Sequence, residues 1–271
     1  MPDPPETIIF LHIPKAAGTS FKRILDRNFQ KEEIYFLHSE ADEEAGENEL
    51  KSLPDDVKQR YHLIYGHQYF GLHHYLPGTV SYISILRDPF ERAISHYHFV
   101  RRVQHNRLHD DALKVTLEDY VLQEVAGKEL DNGQTRRLAG VRDNVDCDQA
   151  MLEMAISNIE NHFKAIGVAE RFDETLFLMK KALGLSSIYY NHANRTQRPK
   201  NEPIPASTID LIKEKNRFDL LLYDYVQKRL DTQWGQHPAS FRRSMQVFRV
   251  MNRFYRLPFE TIQFTKRRLG K

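Results

Sequence analysis

IIFLHIPKAAGTSFKRILDRNF, residues 8–29, places a buried strand, an anion-gripping turn and a helix in immediate succession. Ile8, Ile9, Phe10 and Leu11 form a short apolar run rich in strand formers, and Pro14 closes it. Ala17, Gly18, Thr19 and Ser20 are small enough to let backbone N–H groups converge on an anion. Phe21, Ile24, Leu25 and Phe29 then recur at helical spacing. A helix opening at that turn adds its positive end and its unpaired N–H groups, and Lys15 adds a full charge. The segment implies a site for a phosphorylated nucleotide.

Working outward, YHLIYGH (61–67) is an apolar run ending in Gly-His, and TVSYISILRDP (79–89) alternates β-branched residues until Asp-Pro stops it. Helical patterns are expected over 90–103, 113–125 and 151–159. FKAIGV (163–168) reads as a further strand, followed by an amphipathic helix on Phe172, Leu176, Met179 and Leu183 that Gly184 ends. Residues 189–206 read as a loop and 207–230 as one helix, with Ser207 or Thr208 as N-cap. Strands alternating with helices favour an α/β fold with a parallel, doubly wound central sheet. In such sheets ligands sit beyond the carboxyl ends of the strands, where Lys15 to Ser20, Gly66 to His67 and Arg87 to Asp88 all fall.

At 271 residues the chain suits one α/β domain, expected over 1–235, followed by a basic helical extension over 236–271. Lys and Arg number 39 against 37 Asp and Glu, which argues against a general nucleic-acid binder. The balance is uneven: residues 32–56 hold ten acidic groups against Lys51, which suggests a solvated face, and residues 237–271 hold nine basic groups against Glu260. Cys147 is the one cysteine, so there is no intrachain disulfide and no cysteine-rich zinc site. No apolar run is long enough to span a membrane, and the N-terminus has no signal-peptide pattern. A cytoplasmic protein is expected, peripheral to the membrane if its C-terminal segment lies on lipid.

The loop departs from the G-x-x-x-x-G-K-[ST] pattern of nucleotide triphosphatases, because Pro14 replaces the first Gly and the lysine precedes Gly-Thr-Ser. A second signature is ILRDPFERAISHYHF, 85–99. There Arg87 leaves a strand at its carboxyl end and Ser95 follows eight residues later on the next helix. An arginine so placed grips phosphate in bidentate fashion, and a serine hydroxyl adds a donor. His67, at the mouth of the same crevice, is suited to take a proton near neutral pH. His62, His73 and His74 lie nearby as structural alternatives. A P-loop kinase and a non-catalytic nucleotide-binding module are the rival readings of these residues.

H-I-P-K-x-x-G-T-S after an N-terminal strand resembles the 5′-phosphosulfate loop of the sulfotransferases, in particular the carbohydrate-type, heparan 2-O-sulfotransferase-like branch. R-D-P-x-x-R-x-x-S-x-Y is similar to that family's 3′-phosphate site. The resemblance spans about residues 7–230, with two short specific motifs, and the missing membrane run suggests a soluble member of bacterial style. It implies a P-loop-NTPase-like α/β fold in three layers, a central, mainly parallel sheet flanked by helices, and a co-substrate, 3′-phosphoadenosine 5′-phosphosulfate (PAPS), bound by Lys15, Ala16, Ala17, Gly18, Thr19, Ser20, Arg87 and Ser95. Arg92 and Tyr97 would brace the helix. Asn194, Arg195 and Thr196 match the family's nucleotide-covering loop, and DNGQTRRLAG (131–140) looks like a segment common in bacterial members, with Gln134, Thr135 and Arg136 as candidates to face substrate or cofactor unless it is only a polar loop with a helix start. His67 matches the general base, and Lys15 would stabilise the leaving group. No metal is implied, the product is adenosine 3′,5′-bisphosphate, and the acceptor is a hydroxyl of a carbohydrate or glycoconjugate, or of a lipid-linked molecule.

The C-terminal segment interleaves Phe241, Met245, Phe248, Met251, Phe254 and Tyr255 with Arg242, Arg243, Arg249, Arg253 and Arg256. Such a helix can lie on anionic lipid, collect an anionic acceptor, or pack its apolar face on the domain.

Overall fold

In the computed structural model, which describes residues 6–37, 43–142, 145–191 and 203–268, the run Thr7–Leu11 forms β1 with all five side chains buried. Alternate side chains of a strand leave on opposite faces, so a strand buried at every position must be covered on both sides. Ile9 and Leu11 enter one core, and Ile8 and Phe10 enter another on the far face. Each fully buried aliphatic or aromatic side chain contributes about 1.5–3 kcal/mol, which makes β1 the axis of the domain.

The other strands are β2 (Ile34–Phe36), β3 (Leu63–Gly66), β4 (Val80–Leu86) and β5 (Phe163–Val168). Among the described residues they make one sheet in the order β2-β3-β1-β4-β5, with every pair parallel. The helices preceding β5 are α1 (Gly18–Leu25), α2 (Glu43–Ser52), α3 (Asp55–Lys58), α4 (Pro89–Arg102), α5 (His109–Lys114), α6 (Leu117–Leu122), α7 (Gly133–Ala139) and α8 (Gln149–His162). Those following it are α9 (Phe172–Leu183), α10 (Ala206–Lys215), α11 (Arg217–Gly235) and α12 (Ala239–Arg268). The face with Ile9 packs on α2, α8 and α11 through Leu50, Leu152, Ile159, Leu222 and Val226. The face with Phe10 packs on α1, α9 and α12 through Phe21, Ile24, Leu176, Met245 and Phe248. The result is the expected three-layer α/β arrangement. A third cluster joins α4, α5, α6 and α10 around Tyr97, Tyr120 and Ile212.

The order of strand addition switches sides at β1: β2 and β3 are laid down on one side, then β4 and β5 on the other. Leu11 is in register with both Gly66 of β3 and Ser84 of β4, so the segments leaving those three strands emerge side by side. This is the switch point at which open parallel sheets hold ligands.

Several elements differ from the sequence expectation. β2 lies inside the acidic connector as an edge strand only three residues long. The expected 113–125 helix is two helices, because the Thr116 hydroxyl accepts from the Asp119 N–H and starts α6 afresh. The expected 207–230 helix breaks at Asn216, whose amide donates to the Ile212 and Leu130 carbonyls. Ser207 and Thr208 do not cap it; both donate to Glu118. The acidic stretch is not wholly solvated either, since Glu47 is buried between Lys51 and Arg142.

Candidate active site

The turn after β1 owes its shape to two residues in the left-handed region, Lys15 with φ 66° and Ala17 with φ 62°. Left-handed and right-handed residues in succession point neighbouring N–H groups into one concavity, the geometry of a backbone anion nest. Ala17 then serves as N-cap of α1 without a side-chain bond, and no acidic residue occupies the first turn. The positive end of α1 therefore faces the turn unneutralised. Gly18 is required here: a Cβ at that position would fall 1.7 Å from His12 Nε2. Thr19 is exposed at the opening, and Ala16, Gly18 and Ser20 are buried beneath it.

Lys15 is half-buried, and its ammonium rests 3.6 Å from the centroid of the Phe99 ring. Burial, with the charges of Arg102 and Arg87, pulls its pKa down to about 8. A cation so desolvated and surrounded by like charge is stabilised by an incoming anion. Ser95 lies one turn before Phe99 on α4, and residues four apart share a helix face. The face of α4 that carries Ser95 is thereby turned toward the Lys15 turn, with the Ser95 residue itself buried. Asp88 caps α4 by accepting from the Glu91 N–H, and Pro89 occupies the first turn.

Arg87, one residue beyond β4, donates from its Nη1 to the Lys15 carbonyl at 3.0 Å. The two anion-binding motifs are thus physically linked. Its guanidinium also has Glu91 at 3.7 Å and Glu170 at 3.9 Å. The Arg87 backbone is clamped at both ends by Gln134: its N–H donates to Oε1 and its carbonyl accepts from Nε2, each at 2.9 Å. Gln134 and Thr135 in turn donate their backbone N–H groups to the carboxylate of Asp219, which also faces Arg92 at 3.6 Å. Arg92 and Arg137 pair with Glu129. Burial alone would raise the Glu129 carboxyl, but Arg137 and Arg92 hold it down to about 2. Burial pushes Asp219 the other way, upward, against Arg92 and the bonds from Thr135 and Gln134.

His67 follows Gly66 at the end of β3. Its Nδ1 lies 2.8 Å from the His12 carbonyl, a bond that exists only when Nδ1 carries the proton. In the neutral ring the lone pair is then on Nε2. The His12 and His67 rings lie 4.3 Å apart, and burial, then the His67 charge, drive the His12 pKa well below its ordinary value. His62 pairs with Glu33, and His73 bonds Tyr82 and stacks on His74 and His162, so these three neighbours are tied up elsewhere.

The structure thus brings Lys15, the 16–20 turn, Arg87, Ser95 and His67 to one end of the sheet. Asn194, Arg195 and Thr196 lie outside the described residues. Gln134, Thr135 and Arg136, offered above as groups facing substrate, turn inward instead and are buried in α7. Arg92 is fully buried and Tyr97 bonds the Val115 carbonyl, as expected of bracing residues. Sequence reasoning missed Phe99, Asp219 and Glu170. Phe99 carries a signal in hindsight, one helical turn after Ser95, whereas Asp219 and Glu170 carry none. Among the described residues no cluster of three or more His, Cys, Asp or Glu could hold a metal.

A family model described as "Sulfotransferase family" matches residues 1–226. Galactose-3-O-sulfotransferase 3 of Bos taurus and its Homo sapiens counterpart are each 26% identical over 237 residues, covering 81% of this chain. The chain spans about half the length of those curated relatives, 55%. Among solved structures, a mouse sulfotransferase complexed with PAP aligns over 89% of this chain and 88% of its own, at 14% identity and a TM-score of 0.38.

Proposed function

We propose, from the premise that this chain belongs to the sulfotransferase family, that it moves a sulfuryl group from PAPS to a hydroxyl of a carbohydrate acceptor. The observation that carries this reading is the convergence of three strand ends: His67 after β3, the Lys15 turn after β1 and Arg87 after β4. A nucleotide with phosphate at both ends needs two anion sites in one crevice, and the Arg87 bond to the Lys15 carbonyl joins two such sites. The carbohydrate acceptor is supported by the galactose-3-O-sulfotransferase relatives.

In this reading the backbone N–H groups at Ala17 to Ser20 hold the 5′-phosphate, and Arg87 and Ser95 take the 3′-phosphate. Arg87 exchanges its longer contacts to Glu91 and Glu170 for that phosphate. His67 Nε2 accepts the acceptor's hydroxyl proton as the acceptor oxygen bonds to sulfur. The bond from sulfur to the phosphate oxygen breaks, and its electron pair leaves with adenosine 3′,5′-bisphosphate. Lys15, held close by and poorly solvated, stabilises the negative charge that develops on that departing oxygen. Positioning and electrostatics supply the catalysis, as in phosphoryl transfer. The bond from His67 Nδ1 to the His12 carbonyl orients the ring and fixes its tautomer. Cytoplasmic placement belongs to the same proposal; among the described residues no helix is long and apolar enough to cross a membrane.

A thermal-shift screen tests the nucleotide assignment. Adenosine 3′,5′-bisphosphate should raise the melting temperature more than ATP with magnesium does. Preference for ATP would remove the PAPS reading and return the site to kinase-like chemistry.

A further inference from the structure

Among the described residues, helix α12 buries one of its two apolar faces. Met245, Phe248 and Asn252 are buried against the domain, where Phe248 meets Phe177 and Tyr189. Val247, Val250, Met251, Phe254 and Leu257 recur at helical spacing on roughly the opposite side, between 48% and 63% exposed. At 100° per residue, Arg243 falls inside this second stripe and Arg253 at its edge, and both are exposed. Between His237 and Phe259 there are five arginines and no acidic residue. Arg249 is engaged with Asp173 and Glu174, which leaves the positive character of the outer side to Arg242, Arg243 and Arg253.

The stripe runs on into an open groove of about 620 Å³ between the end of α9 and α12. Phe177, Leu185, Val247 and Phe248 give it apolar walls, and the exposed Lys180 and Lys181 stand at its margin. Val247 belongs to both stripe and groove. A contiguous apolar surface of this kind is uncommon on a soluble protein without a partner.

We propose that this face of α12, together with the Lys180–Lys181 groove, docks on an anionic lipid bilayer. A water-facing protein partner would need acidic groups set opposite each arginine, whereas an anionic headgroup layer supplies negative charge everywhere and receives the apolar side chains below it. Phe254, Val250 and Met251 would enter the acyl boundary while Arg243, Arg253 and the two lysines reach the phosphates. Each basic group near an anionic surface is worth about a fivefold gain in binding, falling with salt. The inference rests on α12 and its groove alone, and is independent of the sulfuryl-transfer reading.

Co-sedimentation of the full chain with phosphatidylcholine vesicles and with mixed phosphatidylcholine–phosphatidylserine vesicles tests it. The protein should pellet with the mixed vesicles, weakly with the neutral ones, and lose binding as salt is raised. Val250→Glu with Phe254→Glu should lower the bound fraction by about tenfold or more, and Arg243→Glu with Arg253→Glu should also lower it. Because all four positions are exposed, the melting temperature should not move. Failure of the unsubstituted chain to pellet, or equal pelleting of the Val250→Glu/Phe254→Glu variant, overturns the proposal. So does a concentration-dependent dimer that Phe254→Glu abolishes without vesicle binding, which would assign the face to a second copy of the chain.

Discussion

His67 holds its imidazole against the main chain of His12, with Nδ1 2.8 Å from the carbonyl oxygen, which in the neutral ring leaves the lone pair on Nε2. The partner is a backbone carbonyl one residue past β1, so the orientation of the ring follows from the register of β1 on β3. Replacing His67 by Ala should lower turnover by about 10²–10⁴-fold while leaving affinity for adenosine 3′,5′-bisphosphate within a factor of a few. Steady-state kinetics with calorimetric titration of the bisphosphate would check this, and retained turnover would remove His67 from the chemistry.

Lys15 should trade stability for function. Its folded pKa of about 8 lies below the ordinary 10.5, so the charged form costs stability below pH 8, and that cost fades as pH rises toward 10.5. Lys15→Met should therefore raise the melting temperature of the ligand-free protein at pH 7, with the gain shrinking at alkaline pH, and should abolish transfer. A variant that melts lower than the native chain at neutral pH would contradict the burial argument.

The same shift gives a pH profile for binding. An anion beside Lys15 favours the charged ammonium, so the complex holds the proton more tightly than the free protein does. Affinity for adenosine 3′,5′-bisphosphate should be level between about pH 7, where both phosphates are fully ionised, and pH 8, and decline above about 8. Titrations at a series of pH values would show it, and the decline should vanish in Lys15→Met.

Gln134 should matter for ligand binding although it touches no ligand in this account. Gln134→Leu removes both bonds to the Arg87 backbone, each at 2.9 Å, and frees the end of β4 to shift. Loss of about tenfold in bisphosphate affinity is expected, the scale of about 1.4 kcal/mol that one or two such bonds represent. Affinity for ADP, which lacks the 3′-phosphate, should change less. An equal loss for both nucleotides would place the effect in general loosening of the fold.

Asp219→Ala tests the buried support behind the site. It leaves Arg92 without one carboxylate and strips the acceptor from the Gln134 and Thr135 N–H groups. Urea unfolding should report a loss of about 3–5 kcal/mol, as for breaking a buried ion pair from one side.

What could be read from the sequence and what could not divide along the range of the interactions. β1, its turn and α1 were legible because each depends on neighbours within a few residues: an apolar run, a proline, small residues, then helical spacing. β4 and α4 were legible for the same reason, with Asp88-Pro89 marking the join. The break at Asn216 was not, because no glycine or proline marks it and the cause is a set of bonds to Leu130 and Asn132, over 80 positions away. Gln134 and Asp219 look alike in sequence to any surface polar residue; only the fold, by setting them 85 positions apart in hydrogen-bond contact, makes one the clamp on Arg87 and the other its anchor. The short edge strand β2 was hidden by the acidic residues around it.

Transfer of labelled sulfate reads the sulfuryl-transfer activity of this chain directly. The native chain and His67→Ala, incubated with radiolabelled PAPS and a panel of galactose-containing oligosaccharides, are compared for label in the glycan and for adenosine 3′,5′-bisphosphate released. The expected result is labelled glycan and bisphosphate in equal amounts from the native chain, and about a hundredfold less of each, or lower still, from His67→Ala. Bisphosphate binding without labelled glycan from any acceptor, or equal labelling by the two proteins, would contradict it.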